Sequence, residues 1–135
     1  NEYRRTLAEY LDKVTTEKGR IMETESCYIL RGDGVIDERM LGSVSSILVT
    51  SGILSPSKPL ISLALTEEGM VKVSARADDS LLVKNLNLGN IMQKAAESVD
   101  GMGGGHDVAA GALLQRGRED AFLNAARQLL KEVLD

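Results

Sequence analysis

The sequence predicts a small α/β domain in which helices pack on a short mixed sheet, and three observations predict it. Apolar residues recur at helical spacing in four separate segments. Between the second and third segments lie two short apolar runs. The later of these, Val71-Lys72-Val73-Ser74-Ala75-Arg76, alternates with the period of two expected of a half-exposed strand. Finally, 135 residues at 43% hydrophobic and 27% charged are one domain's worth of chain. Helices and strands interleaved along so short a chain have one core to share.

Each element has its own reason. Tyr3, Leu7, Tyr10, Leu11 and Val14 place one apolar stripe on a helix over 3–18, which Gly19 stops. Cys27-Tyr28-Ile29-Leu30 reads as a short buried strand, closed by the turn Arg31-Gly32-Asp33-Gly34. Asp37 caps a helix whose face is Met40, Leu41, Val44, Ile47 and Leu48, ending by Gly52. Both prolines fall in Ser55-Pro56-Ser57-Lys58-Pro59, a loop. Leu60–Leu65 and Met70–Ala75 form an antiparallel hairpin across Thr66-Glu67-Glu68-Gly69. Asp78 and Asp79 read as a turn. Asn87 caps a helix carrying Leu88, Ile91, Met92, Ala95 and Ala96 inward, with Gly101 ending it. A short strand over 112–114 and a helix over 119–134 close the chain. There are no repeats and no low-complexity tracts.

Composition excludes several classes of function. One cysteine, Cys27, forms no internal disulfide, which fits a reducing cytoplasm. No apolar run approaches the roughly 18 residues of a membrane span, so no membrane association is expected. Asn1, rather than Met, opens directly into a helical pattern, and we expect the chain to be a piece of something longer. One histidine, one cysteine and no tryptophan leave little material for self-contained catalysis. The net charge of −4 advertises no polyanion partner, but its distribution is uneven. Residues 1–69 hold 8 basic and 11 acidic side chains, residues 70–118 hold 6 and 5, and residues 119–135 hold 2 and 4. Any nucleic-acid contact must therefore come from a local patch. With only Tyr3, Tyr10, Tyr28 and Phe122 as aromatics, the composition argues against a base-stacking platform and for backbone contacts.

One constellation carries chemistry. The cluster Gly101-Met102-Gly103-Gly104-Gly105-His106 costs backbone entropy that an ordinary loop would not. Its physical use is a nest of N–H groups around an anion. If a helix starts at about Gly105 and runs through Ala110, its N-terminus adds to the site, with His106 at the mouth. A plain flexible connector is the competing reading, and both stay open. No Gly-Lys-Ser/Thr ending follows, as a phosphate-binding loop of the nucleotide hydrolases requires. The spaced third glycine of a dinucleotide fingerprint is missing too. A lone histidine builds no zinc cluster with Cys27, and nothing specifies a serine for a triad. Arg76, with Ser74 two residues earlier on the same strand face, suits a phosphate clamp, or else is a solvated strand-end charge.

Taken in order, the Val-x-Val-Ser-x-Arg strand, the helix Leu86–Ala96, and Gly103-Gly104-Gly105-His106-Asp107-Val108-Ala109-Ala110-Gly111 carry a resemblance. The chain resembles the DHH-associated C-terminal domain of DHH-family phosphoesterases, most closely the RecJ-like single-strand exonucleases of archaea. The resemblance covers residues 60–135, while residues 1–59 match only loosely as the leading helix, strand and helix. It implies that catalysis belongs to a separate N-terminal domain, whose Asp-His-His motif holds two manganese or magnesium ions that activate water. It implies that this chain, a single substrate-binding domain over 1–135, holds no metal and grips the nucleotide through Ser74, Arg76, Gly103, Gly104, Gly105 and His106. No Asp-His-His motif is present, so the chain alone is expected to hydrolyse nothing.

The partners so implied are single-stranded DNA or RNA and the protein's own catalytic domain. A GINS-type replication complex is a further one, with the N- and C-terminal helices as a candidate docking surface. Oligoribonucleotides and cyclic dinucleotides are alternative substrates within the same family. Alanyl-tRNA synthetase shares a related glycine motif, but Gly-Gly-Gly-His followed by Ala-Ala-Gly fits the phosphoesterases better.

Overall fold

A computed structural model describes all of Asn1–Asp135. Four helices, α1 (Glu2–Thr16), α2 (Leu41–Thr50), α3 (Leu88–Glu97) and α4 (Glu119–Leu134), sandwich one six-stranded sheet. Its strands are β1 (Ile21–Glu23), β2 (Tyr28–Arg31), β3 (Leu60–Leu65), β4 (Val71–Arg76), β5 (Met102–Gly105) and β6 (Ala109–Leu114), in the order β1-β2-β3-β4-β6-β5. The β2–β3 pair is parallel, with α2 as its crossover, and every other pair is antiparallel, so the sheet is mixed as the sequence predicts. No helix is long and apolar enough to cross a membrane.

Strand alternation divides the core in two. Ile29, Ile61, Leu63, Val71, Val73 and Ala75 point to one face, where α3 and α4 bury Ile91, Met92, Phe122 and Leu130 against them. Tyr28, Leu30, Leu60 and Ala64 point to the other, under Val14 of α1 and Leu41, Val44 and Leu48 of α2. Burying a side chain such as Leu30 or Leu60 completely is worth about 1.5–3 kcal/mol. The second helical layer covers β2 and β3, and α2 reaches across to β4, but the layer stops short of β6 and β5. Of the side chains that β4 sends to the same face, Ser74 is buried and Lys72 and Arg76 are partly buried beside α2, with the open space over β6 and β5 beyond them.

Several sequence expectations need correction. Ile21–Glu23 is a strand the sequence reading missed, because three residues are too few to show a period. It is read only from its pairing with Tyr28–Leu30. The turn expected at Asp78 and Asp79 is present, and it continues as a 3-10 helix over Asp79–Lys84 that Asp78 caps by accepting from the Ser80 N–H at 2.9 Å. The N- and C-terminal helices lie on opposite faces of the sheet, so they make no shared docking surface.

The main correction concerns the glycines. Met102–Gly105 is not a loop or a nest, and no helix starts at Gly105. It is edge strand β5, paired with a β6 that begins at Ala109 rather than Ala112. Successive N–H groups of a strand point in opposite directions, so they do not converge on one anion. The reason for glycine is close approach. A Cβ on Gly103 would fall on the Met92 carbonyl of α3, and Gly105 has a φ of +139° that side chains disfavour.

Candidate functional site

The uncovered half of the sheet is the floor of an open cleft of about 930 Å³, with α2 and the start of α1 as its wall. Register explains its flatness. Ser62, Ser74, Gly111 and Gly104 sit side by side across β3, β4, β6 and β5, a row of two hydroxyls and two glycines. Ser62 is taken up by Ser45 of α2 at 2.8 Å. Ser74 is only 4% exposed, has no hydrogen-bond partner within the protein, and is not sealed from the cleft. A Cβ added at Gly104 would meet nothing within 4 Å, so its missing side chain leaves room in the cleft.

Arg76 closes one end of this floor. Its Nε donates to Ser46 Oγ of α2 at 3.1 Å, and its Nη1 to the carbonyls of Ala75 at 2.8 Å and Ala110 at 3.1 Å. No carboxylate pairs with it, and burial pulls the guanidinium below its ordinary pKa without discharging it. Nη2 donates to nothing within the protein. It faces Gly42 of α2, where an added Cβ would lie 3.0 Å away. The half-buried charge therefore keeps one nitrogen without a partner inside the protein, beside α2 in the lining of the cleft. Lys72 and Arg39 also line the cleft, which contains no acidic side chain. Arg39 is held by Asp37 at 2.7 Å, and Lys72 donates to the Glu38 carbonyl at 3.1 Å. A protein of net charge −4 thus presents a cationic, carboxylate-free surface at this one place.

His106 lies at the mouth, in the turn joining β5 to β6. Its N–H donates to the Ala109 carbonyl at 2.8 Å. Counting back along the antiparallel ladder makes Gly104 and Gly111 the hydrogen-bonded pair, leaving the Gly103 and Gly105 N–H groups directed to the edge. The first N–H groups of α3 serve this turn: Gly89 donates to the His106 carbonyl at 2.9 Å and Leu88 to that of Asp107 at 2.7 Å. Asn87 caps the same helix end by accepting from Asn90 at 3.0 Å. The helix terminus that binds here belongs to α3, and its ligand is the turn that carries His106.

Residues 34–132 match the DHHA1 domain family. The chain is a DHHA1 domain. The match begins well before residue 60, where the motif-based resemblance began, and so includes α2, the helix that holds Arg76. An uncharacterised protein of Methanocaldococcus jannaschii is 31% identical over 133 residues, 98% of this chain and 27% of that protein. The DHHA1 domain thus spans about a quarter of the length of this curated relative.

Solved structures share the fold, three among them as follows. The C-Ala domain of Aquifex aeolicus alanyl-tRNA synthetase superposes with a TM-score of 0.59 at 14% identity, covering 84% of this chain and 96% of that one. A DHH-domain protein described as a member of a ribosomal-protein family gives 0.64 at 20% identity, covering 99% and 31%. The pGpG-specific phosphodiesterase PggH of Vibrio cholerae gives 0.59 at 13%, covering 97% and 40%.

Of the residues singled out in the sequence, Ser74, Arg76, Gly104, Gly105 and His106 line the cleft together, whereas Gly103 faces α3. Sequence reasoning missed Gly42, Ser46, Lys72 and Arg39. Lys72 was legible, since it shares the period-two face of Ser74 and Arg76. Gly42 and Ser46 carry no sequence signal, because only the crossover of α2 brings them to β4. Cys27 is buried in the core with its thiol pKa pushed up by desolvation, which makes it a poor nucleophile. No three His, Cys, Asp or Glu side chains come together to hold a metal ion, so the donors present do not fit the manganese or magnesium pair.

Proposed function

We propose that this DHHA1 domain is the substrate-gripping part of a DHH-type phosphodiester hydrolase, holding single-stranded nucleic acid or a short nucleotide product by its phosphates. The observation that carries the reading is that Arg76 Nη2 and Ser74 Oγ both lie near Gly42 of α2, where an added Cβ would be 3.0 Å from the first and 4.0 Å from the second. Both are unpartnered donors at one end of a carboxylate-free cleft. A guanidinium and a hydroxyl side by side match the tetrahedral oxygens of a phosphodiester. His106 and the outward N–H of Gly105 supply further donors at the mouth. With no metal cluster in the chain, bond cleavage falls to a catalytic domain elsewhere in the same protein, which would hold the metal ions. The pGpG specificity stated for one structural neighbour is in keeping with a short nucleotide as ligand.

The test is titration of the chain with a 5′-phosphorylated dinucleotide and with a short single-stranded oligonucleotide, followed by fluorescence anisotropy or calorimetry. Arg76→Ala is expected to weaken both by tenfold or more, the usual effect of deleting a charged hydrogen-bond donor, on the order of 1.5–3 kcal/mol. Unchanged affinity in Arg76→Ala would rule the cleft out as the phosphate site.

A further inference from the structure

Three of the four aromatic residues are accounted for by the fold. Phe122 and Tyr28 are core, and the Tyr10 hydroxyl accepts from the Asp37 N–H at 3.3 Å. Tyr3 is different. It is 52% exposed, and it stands on the first turn of α1 at the rim of the cleft, beside Leu7 and Ile47. Its hydroxyl is tied to Ser43 Oγ of α2 at 2.8 Å, which fixes the ring at one end while leaving it uncovered. Ser43 is the chain neighbour of Gly42, the residue against which Arg76 Nη2 lies, and Ser46 on the next turn accepts from Arg76 Nε. One turn of α2 therefore holds an exposed ring on its outer side and the free guanidinium donor on its inner side.

We infer that Tyr3 is the nucleobase-contacting residue of the cleft, and that the ligand is a nucleoside phosphate rather than an inorganic phosphate, pyrophosphate or sugar phosphate. The inference rests on the phosphate-gripping reading and adds to it what lies beyond the phosphate. A phosphate on Arg76 and Ser74 leaves its nucleoside to extend along the α2 wall, where Tyr3, Leu7 and Ile47 are the apolar surface. Every base has a π face, so stacking on Tyr3 is sequence-tolerant. Scarcity of aromatics excludes an extended stacking platform, but a single ring suffices for a single terminal base.

The experiment uses two probes, a 5′-phosphorylated dithymidine and the same sugar–phosphate backbone with both bases removed. Tyr3→Ala is expected to weaken the base-bearing probe by about five- to a hundredfold and to leave the abasic probe unchanged. Tyr3→Phe, which keeps the ring and loses the tie to Ser43, is expected to retain most of the affinity. Equal weakening of both probes by Tyr3→Ala, or no weakening of either, overturns the inference, the first because the ring would then serve packing alone. Tyr3→Leu, which keeps apolar bulk on α1, guards against loss of fold and is expected to bind like Tyr3→Ala. Failure of the underlying reading is seen separately, as Arg76→Ala binding both probes as the parent chain does.

Discussion

Arg76 Nε and Ser46 Oγ are joined at 3.1 Å across the gap between β4 and α2, a contact between residues 30 apart in the chain. Arginine carries its donors in a rigid fork, so fixing Nε fixes the plane of the guanidinium and the direction of Nη2. Ser46 is thus a positioning residue for the cleft. Ser46→Ala leaves the charge in place but loosens the fork, whose Nη1 stays bonded to the Ala75 and Ala110 carbonyls. We expect affinity for the phosphorylated dinucleotide to fall about three- to tenfold, with a melting temperature close to that of the parent chain, because Ser46 is only partly buried. Arg76→Lys distinguishes orientation from charge. A point charge on a flexible stem has no fork for Ser46 to steer, so adding Ser46→Ala to it should cost little more. An additive loss in the double variant would show that Ser46 acts some other way.

Gly103 and Gly104 are neighbours with opposite duties, because adjacent residues of a strand face opposite sides of the sheet. Any Cβ on Gly103 collides with the Met92 carbonyl and lies 3.2 Å from Ala96 Cβ, both on α3. Gly103→Ala is therefore expected to destabilise the domain by about 1–3 kcal/mol, measured by denaturant titration, as overpacking of a tight interface does. Gly104 faces the empty cleft. Gly104→Val should leave stability within about 1 kcal/mol, since β-branched residues suit strands, yet block the floor and abolish dinucleotide binding. A Gly104→Val protein that binds normally would mean that the ligand does not reach β5.

The two glycines also show how far the sequence could be read. That the cluster matters, and that Ser74 and Arg76 share a strand face with each other, follows from composition and a period of two. That it is a strand does not follow, because glycine is depleted in strands and shows no alternation of its own. Pairing with Ala110–Leu113 and the close packing of α3 override that preference. The same limit hid the wall of the cleft. Leu41, Val44 and Leu48 reveal the inner face of α2, but no local pattern says that Gly42 and Ser46 look toward β4. Such contacts are set by the crossover between parallel strands and become visible only when the sheet is assembled.

Arg39 is the cleft cation whose charge is already matched, and pH offers a way to see it. The Arg39 side chain, and after it the Arg39 N–H, hydrogen-bonds to Asp37 and lowers that carboxyl from 3.8 to about 2. A depressed folded pKa means that this contact favours the native state above the unfolded value of 3.8. The contribution is then lost as pH falls through that value toward 2. Following the Asp37 carboxyl by NMR should give a midpoint near 2 in the parent chain. In Arg39→Met the midpoint should rise only part of the way back, because the backbone N–H of residue 39 still caps Asp37 at 2.9 Å. A midpoint unmoved by Arg39→Met would assign the shift to the cap alone and leave Arg39 free. In that case Arg39 would join Arg76 and Lys72 as an uncompensated charge, and Arg39→Met would weaken dinucleotide binding. With Arg39 engaged as the structure shows, dinucleotide affinity in Arg39→Met is expected to stay within about twofold of the parent chain, as for an exposed pair of small net effect.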